Sequence, residues 1–246
     1  MTFENKVVLV TGAGSGIGRA TARLFAERGA DVLVQDINAD GAQRTAELVR
    51  ETGQRAELSV CDVADVQAIR KTVTDTAFTH IDILVNNAGI PSDRCSLEEV
   101  SEKMFERTFA VHVKGTLFTT QAVVPGMKER RYGKIVNLSS IQGLSGFANA
   151  ATYNGAKAAV LSMAQGWARE LAPWRINVNV IAPGHVMTNM PMSRDSPEEL
   201  EQQAKTVPFL RFGQPEEMAS TIAFLCSPEA QFITGQVVSP NGGYLI

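Results

Sequence analysis

The sequence predicts a doubly wound α/β fold: a parallel sheet of about seven strands with helices on both faces. Three observations carry this. Seven short β-rich runs alternate with longer helical stretches from end to end of the chain. Val7–Val10 is continuously apolar and Val32–Gln35 nearly so, instead of alternating, which marks strands buried on both faces. No linker, charge block or repeat divides the 246 residues, so they read as one domain, 1–246.

The elements follow in order. Val7–Val10 is an apolar run that stops at Thr11-Gly12, and Ile17–Arg28 is a helix with Gly29 as its stop. Val32–Gln35 is the second strand, and Ala39–Glu51 a polar-faced helix ended by Gly53. Glu57–Val60 is a strand, Val66–Phe78 a helix, and Ile81–Val85 a strand that enters Asn86-Asn87-Ala88-Gly89. A long helix spans about Leu97 to Arg130, with a kink expected near Pro125. Lys134–Leu138 is a strand, Ala151–Leu171 an Ala-rich helix stopped by Pro173, and Ile176–Ile181 a strand ending at Pro183-Gly184. The polar, Met-rich stretch Thr188–Thr206 precedes a helix at Pro215–Leu225 and a last short strand at Gln236–Val238. Met187–Pro208 is the least core-like segment, and beside a sheet's C-terminal edge it is expected to serve as a lid over about 187–208.

Composition narrows the function. Hydrophobic residues at 44% and charged residues at 20% support a packed core and exclude a disordered chain. A net charge of −3 argues against nucleic acid as a partner. Cys61, Cys95 and Cys226 are odd in number and form no C-x-x-C pair, and His80, His112 and His185 have no metal-ligand spacing. Neither a disulfide framework nor a bound metal is expected. An acid stands where a signal peptide would be basic, and no apolar stretch is long enough for a membrane span. The expectation is a cytoplasmic protein with no membrane partner.

Chemistry enters at the first turn. Thr11-Gly12-Ala13-Gly14-Ser15-Gly16-Ile17-Gly18 joins the first strand to the first helix. Glycines there let the backbone turn tightly and approach a pyrophosphate, and the helix N-terminus offers free N–H groups and a positive dipole end. Gly12, Ser15, Gly16, Ile17 and Gly18 are therefore candidate dinucleotide-binding residues, which makes the predicted fold of the Rossmann type. Asp36 ends the second strand, 18 residues after Gly18. A carboxylate there accepts hydrogen bonds from ribose hydroxyls but repels a 2′-phosphate, by roughly 4 kcal/mol at about 4 Å and an effective dielectric near 20. Ser15 and Ile37 stand where Arg or Lys would offset it. The expected cofactor is NAD(H).

Tyr153 and Lys157 are four apart near the start of a helix and project from one face. Ser140 follows a strand, thirteen residues before Tyr153. Together they suit hydride transfer, in which a carbonyl gains a proton or an alcohol loses one. A free phenol titrates at about 10, too high for a base at neutral pH. The Lys157 cation and an oxidised nicotinamide would favour the phenolate and bring that value down. Ser140 can hold the substrate oxygen, and Lys157 can also reach the nicotinamide ribose.

These motifs, in this order, resemble the short-chain dehydrogenase/reductase family over essentially the whole chain. The resemblance rests on Thr11-Gly12-x-x-x-Gly16-x-Gly18, Asp62-Val63, Asn86-Asn87-Ala88-Gly89, Ser140, Tyr153-x-x-x-Lys157, Asn179, Pro183-Gly184 with Thr188, and Gly242-Gly243. It implies that Asp62 and Val63 meet the adenine, that Asn87, Ala88 and Gly89 pass behind the cofactor, and that Pro183, Gly184, Val186 and Thr188 line the nicotinamide side. It also implies a homotetramer, less often a dimer, paired through the helices at Leu97–Arg130 and Ala151–Leu171. One position departs. The family places an Asn three residues before a helical Gly, where it holds a water that links the lysine to a proton path. This chain has His112 there, before Gly115. A histidine donates, accepts and titrates near neutrality, so His112 is expected to keep the relay and joins Ser140, Tyr153 and Lys157 as a catalytic candidate.

The substrate pocket is expected between Ser140–Asn149, Pro91–Cys95, His185 and the lid. Gln142, Phe147, Asn149, His185, Met187 and Met190 are candidate wall residues beside Ser140 and Tyr153. The mix suits a small or medium secondary alcohol or ketone. Arg94 and Arg194 could meet an anionic group, but solvation of each is the expectation. The reading is an NAD(H)-dependent oxidoreductase acting on CH–OH donors. A 3-oxoacyl-(acyl-carrier-protein) reductase is the alternative, although that activity usually goes with NADP(H). A non-catalytic dinucleotide-binding regulator is the remote one. No G-x-S-x-G elbow supports a hydrolase.

Overall fold

The computed structural model describes residues 2–188 and 195–246. Its strands are β1 (Val7–Thr11), β2 (Asp31–Asp36), β3 (Ala56–Val60), β4 (Ile83–Asn86), β5 (Gly133–Leu138), β6 (Ile176–Ile181) and β7 (Val237–Val238). All pair in parallel, in the order β3-β2-β1-β4-β5-β6-β7. The chain winds outward from β1 to β3, then returns to β1's other side at β4. That reversal opens a crevice at the C-terminal ends of β1 and β4, the place where open α/β sheets bind ligands.

Alternation along the strands divides the core in two. Val8, Val10, Val32, Val34, Ile83 and Val85 face helices α1 (Gly16–Glu27) and α2 (Ala39–Glu51) and the helix at Pro215–Cys226. Val7, Leu9, Leu33, Leu84, Ile135 and Val178 face the opposite layer. That layer holds α3 (Val66–Thr74), α5 (Gly115–Arg130) and α7 (Ala151–Leu171). Each fully buried aliphatic side chain contributes about 2 kcal/mol. The remaining helices are α4 (Glu102–Phe109), α6 (Ile141–Leu144) and α8 (Pro197–Thr206), and Pro215–Cys226 is α9.

The predicted long helix Leu97–Arg130 is corrected. Leu97–Glu99 is a 3-10 turn, and α4 begins at Glu102, where the Ser101 side chain accepts from the Met104 N–H. From Glu102 to Arg130 the helix is continuous, passing through a π turn at Ala110–Lys114 in which the Gly115 N–H reaches back to the Ala110 carbonyl. Pro125 lies inside α5. The helix expected over Val66–Phe78 ends at Thr74, and the strand expected from Ile81 begins at Ile83. Two short helices, α6 and α8, were not expected. Ser140 caps the first, and a Ser196/Glu199 capping box starts the second.

Candidate active site

The glycine turn closes on the end of β4. Gly12 has φ +63°, a conformation that favours glycine, and a Cβ there would lie 2.7 Å from the Ala88 Cα. A Cβ on Gly18 would lie 2.2 Å from the Gly12 carbonyl oxygen, so α1 seats on β1 only with bare backbone at that position. Asn87 is the clamp. Its side-chain amide donates to the Thr11 and Gly12 carbonyls at 2.9 Å each, and its backbone N–H donates to Thr11 Oγ1 at 3.0 Å. The sequence reading gave Thr11 and Asn87 no such joint role.

Asp36 sits at the end of β2 with one oxygen on the Gly14 N–H and the other on the Asn38 N–H, both at 2.8 Å. These bonds hold the carboxylate at the mouth of the turn. Ser15 and Ile37 are the expected neighbours, but a cation that local sequence did not reveal lies nearby. Arg19 bonds the Gly14 carbonyl and donates to Thr45 Oγ1 at 3.0 Å. Burial, then the Arg44 charge, hold it below the ordinary arginine range, and the Asp36 charge acts the other way.

A cleft of about 720 Å³ runs from Asp36 and Ile37 to Tyr153 and Lys157. It is lined by Gly12, Ser15, Gly16, Ile17, Asp62, Val63, Asn87, Ala88, Gly89, Pro183, Gly184, Val186 and Thr188. Among the described residues proposed for the cofactor, Gly18 does not line it and acts by seating α1. Asp62 accepts from the Ala64 N–H and pairs with Arg107 at 3.2 Å. Gly89 turns toward His112: a Cβ there would lie 2.7 Å from the His112 Cε1. Asn179 lies away from the cleft, bonded to the Ile233 carbonyl and the Gln236 N–H, where it ties β6 to the strand beyond it.

Ser140, Tyr153, Lys157 and His112 all line the same end. Ser140 lies two residues beyond β5 and caps α6, so its hydroxyl stands where α6 turns away. Lys157 is buried, and its Nζ donates to the Leu138 carbonyl at 2.9 Å and lies 5.5 Å from the centre of the Tyr153 ring. α6 packs on α7 at Gly143, where a Cβ would lie 2.8 Å from the Lys157 carbonyl carbon. The His112 ring meets Tyr153 edge-on, with centres 5.2 Å apart.

Burial, more than charge, sets the electrostatics of this end in the chain itself. It pushes the Tyr153 phenol up to about 12, against a hydrogen bond from Ser140 that lowers it. It pushes Lys157 down to about 7. In the chain alone, then, burial outweighs any pull of Lys157 on the phenol; the expected lowering involves the oxidised nicotinamide as well. Both groups are desolvated, and desolvation favours the neutral form of each. The expectation that His112 titrates near neutrality is corrected. Burial and the Lys157 charge hold it well below the usual histidine range. Its Nε2 lies 3.3 Å from the Ile90 N–H and 3.1 Å from the Ile90 carbonyl, and its buried Nδ1 has no partner among the described residues.

Gln142, Phe147, Asn149 and His185 line the same cleft. Met190 and Arg194 lie outside the described residues. Met187 does not line the cleft; its N–H bonds the Gly213 carbonyl. Arg94 keeps 54% of its side chain exposed, in keeping with the expected solvation, but it is not solvated alone. It makes a two-pronged pair with Asp195, at the start of the α8 segment.

Among the described residues, no helix is long and apolar enough to cross a membrane, and no group of three His, Cys, Asp or Glu could hold a metal ion. A family profile described as Enoyl-(Acyl carrier protein) reductase matches residues 12–245. The chain is 40% identical to the 3-oxoacyl-(acyl-carrier-protein) reductase FabG of Thermotoga maritima, over 100% of both. Among solved structures, a 3-oxoacyl-(acyl-carrier protein) reductase with bound NAD from Brucella melitensis superposes with a TM-score of 0.92 and 37% identity, covering 100% of this chain and 93% of that one. Levodione reductase superposes with a TM-score of 0.95 and 31% identity over 98% of each chain. With the seven-stranded parallel sheet and the order of its motifs, these matches show that the chain is an oxidoreductase of the short-chain dehydrogenase/reductase family.

Proposed function

We propose that the protein is an NAD(H)-dependent oxidoreductase that interconverts a secondary alcohol and a ketone. The observation that carries this is one cleft with Asp36 and the glycine turn at one end and Ser140, Tyr153 and Lys157 at the other. The residues fit a dinucleotide. Bare backbone at Gly12 and Gly16 forms a cradle that side chains would fill, since a Cβ at Gly16 would lie 3.1 Å from the Thr188 Cγ2. Gly12, Ser15, Gly16 and Ile17 would hold the phosphates at the N-terminus of α1. Asp62 and Val63 would hold the adenine side, and Pro183, Gly184, Val186 and Thr188 the nicotinamide side.

When bound, a nicotinamide coenzyme supplies hydride to the carbonyl carbon or accepts it from the carbinol carbon, and in its oxidised form brings a positive charge. Tyr153 handles the proton: its phenol gives one to a forming alkoxide, and its phenolate takes one from an alcohol. Ser140 donates to the substrate oxygen and holds it near the phenol. Lys157, as a cation, opposes the cost of a buried phenolate.

Asp36 supports NAD(H) over NADP(H). Its remaining lone pairs can accept ribose hydroxyls, whereas a phosphate would place a second negative charge beside it. The full penalty of roughly 4 kcal/mol corresponds to about a thousandfold, and partial screening by Arg19 and water leaves a preference of at least about thirtyfold. In steady-state assays kcat/KM for NAD should exceed that for NADP by that margin, and Asp36→Ser should shrink it by at least about tenfold. Comparable values for the wild-type protein with both coenzymes would refute the assignment.

His112 is proposed to keep the relay as a neutral ring. Its Nε2 is held at Ile90, and Nδ1 can hold a water beside Lys157 without charging. His112→Asn should leave the inflections of the pH–rate profile in place. Loss of an inflection with the imidazole would show that the ring titrates after all. Pairing of copies through α4–α5 and α7 belongs to the same reading, and exposed Phe105, stacked on Phe109, marks an apolar spot on α4.

A second reading, reduction of a 3-oxoacyl thioester, is favoured by the full-length similarity to FabG. Assays of such a thioester with both coenzymes separate the two.

A further inference from the structure

We infer that the substrate end of the cleft is built for a compact, uncharged ring: a cyclic or aryl ketone, or the matching secondary alcohol. This rests on the reading above and names the substrate class of that same site.

The first observation is an aromatic wall assembled from distant parts of the chain. Phe147, beyond β5, stacks on Tyr244 near the C-terminus, with centres 6.0 Å apart and planes 18° apart. His185, beyond β6, stacks on Phe212 at 5.3 Å and 18°, and meets Tyr244 edge-on at 5.2 Å and 81°. Phe147, His185 and Phe212 line the cleft, and Tyr244 braces the first two by ring contact. Broad ring faces suit offset stacking against another flat ring. Burial and the Arg94 charge hold His185 below the usual histidine range, so it keeps the wall uncharged at neutral pH.

The second observation is a clasp across the mouth. Arg94, in the loop beyond β4, grips both oxygens of Asp195, whose side chain is only 1% exposed. Asp195 also accepts from Gln203 on α8 at 3.2 Å. Asp93 is bonded to the Thr152 hydroxyl. Asp195 is thus fully engaged by the protein, and Arg94, though 54% exposed, spends one edge of its guanidinium on it. A carboxylate or phosphate on a substrate could take the paired edge of Arg94 only by displacing Asp195 from a bidentate pair. The same pair joins the two walls, so it bounds the length of molecule that fits. A long acyl thioester meets the clasp, and a ring ketone lies within it.

The test uses the full-length enzyme and three probe classes: cyclohexanone with acetophenone, acetoacetate, and the N-acetylcysteamine thioester of acetoacetate. Ring ketones should exceed both other classes in kcat/KM by at least about tenfold. Tyr244→Ala and Phe147→Ala should raise KM for ring ketones about five- to tenfold, more than they lower kcat, and Tyr244→Phe should restore the wild-type KM. Tyr244→Leu serves if the alanine variant loosens the C-terminal segment. Arg94→Gln should move the thioester-to-ring ratio of kcat/KM upward by at least about fivefold, which a merely structural role for the clasp would not do. Thioester or acetoacetate turnover at or above that of the ring ketones would overturn the inference, as would a KM that ignores Tyr244. Failure of the underlying reading looks different: no class turns over with either coenzyme, or turnover is indifferent to Tyr153→Phe.

Discussion

Tyr153→Phe is expected to lower kcat by about three orders of magnitude while leaving coenzyme affinity and folding close to wild type. The reasons are local. In the proposed function the hydroxyl exchanges a proton with a substrate oxygen held by Ser140. The ring keeps its edge-on contact with His112, and Lys157 keeps its bond to the Leu138 carbonyl, because neither uses the phenol oxygen. The variant loses a hydrogen bond with Ser140 but also sheds a buried hydroxyl, and these two effects nearly offset. Steady-state turnover, coenzyme titration and a melting curve check the three parts. Turnover within tenfold of wild type would remove Tyr153 from the chemistry. Wild-type protein that binds NAD and oxidises or reduces nothing in a broad screen would favour the non-catalytic regulator instead.

Much of this site is legible in sequence because its parts are local. The glycine turn, Asp36 and the pair Tyr153 and Lys157 each need only a strand end or one helical turn to place them, and the continuous apolar runs place the strands. What stayed hidden depends on contacts between distant segments. Arg94 and Asp195 stand 101 positions apart, and nothing near either one announces the other. Arg19 meets the Gly14 carbonyl only through the fold. Tyr244, near the C-terminus, meets Phe147 and His185 only through the fold.

The π turn shows a different limit. Ala110–Lys114 has an ordinary helical composition, so periodicity carries straight through it. Proline at 125 drew the expected kink instead, although α5 accommodates it. α8 could have been found from Ser196, Pro197 and Glu199, which spell a capping box with proline at the first helical position. The titration behaviour of the site was not legible at all. Spacing says that a lysine lies near a tyrosine. It does not say that both lose water, and that loss is the larger effect on each.

That desolvation leads to an expectation about Lys157 that runs against its importance for turnover. Lys157→Met should stabilise the coenzyme-free protein below pH 7 while lowering kcat by at least about a hundredfold. Burial holds the folded-state value at about 7, below the ordinary 10.5. Between those two values the unfolded chain binds a proton that the folded chain does not, so stability rises with pH across that window. Below pH 7 the folded protein carries the full cost of a buried ammonium, at most about 5 kcal/mol. Methionine removes that cost, and forfeits one hydrogen bond to the Leu138 carbonyl worth about 1 kcal/mol. The melting temperature at pH 6 should rise by at least about 3 °C, given about 2–4 °C per kcal/mol for a chain of this size. The gain should shrink as the pH approaches 10.5, because the wild-type amine is then neutral in both states. A variant that melts lower than wild type at pH 6, or whose difference from wild type ignores pH, would show that Lys157 holds its charge in the folded protein at no cost, and that groups other than Leu138 compensate it.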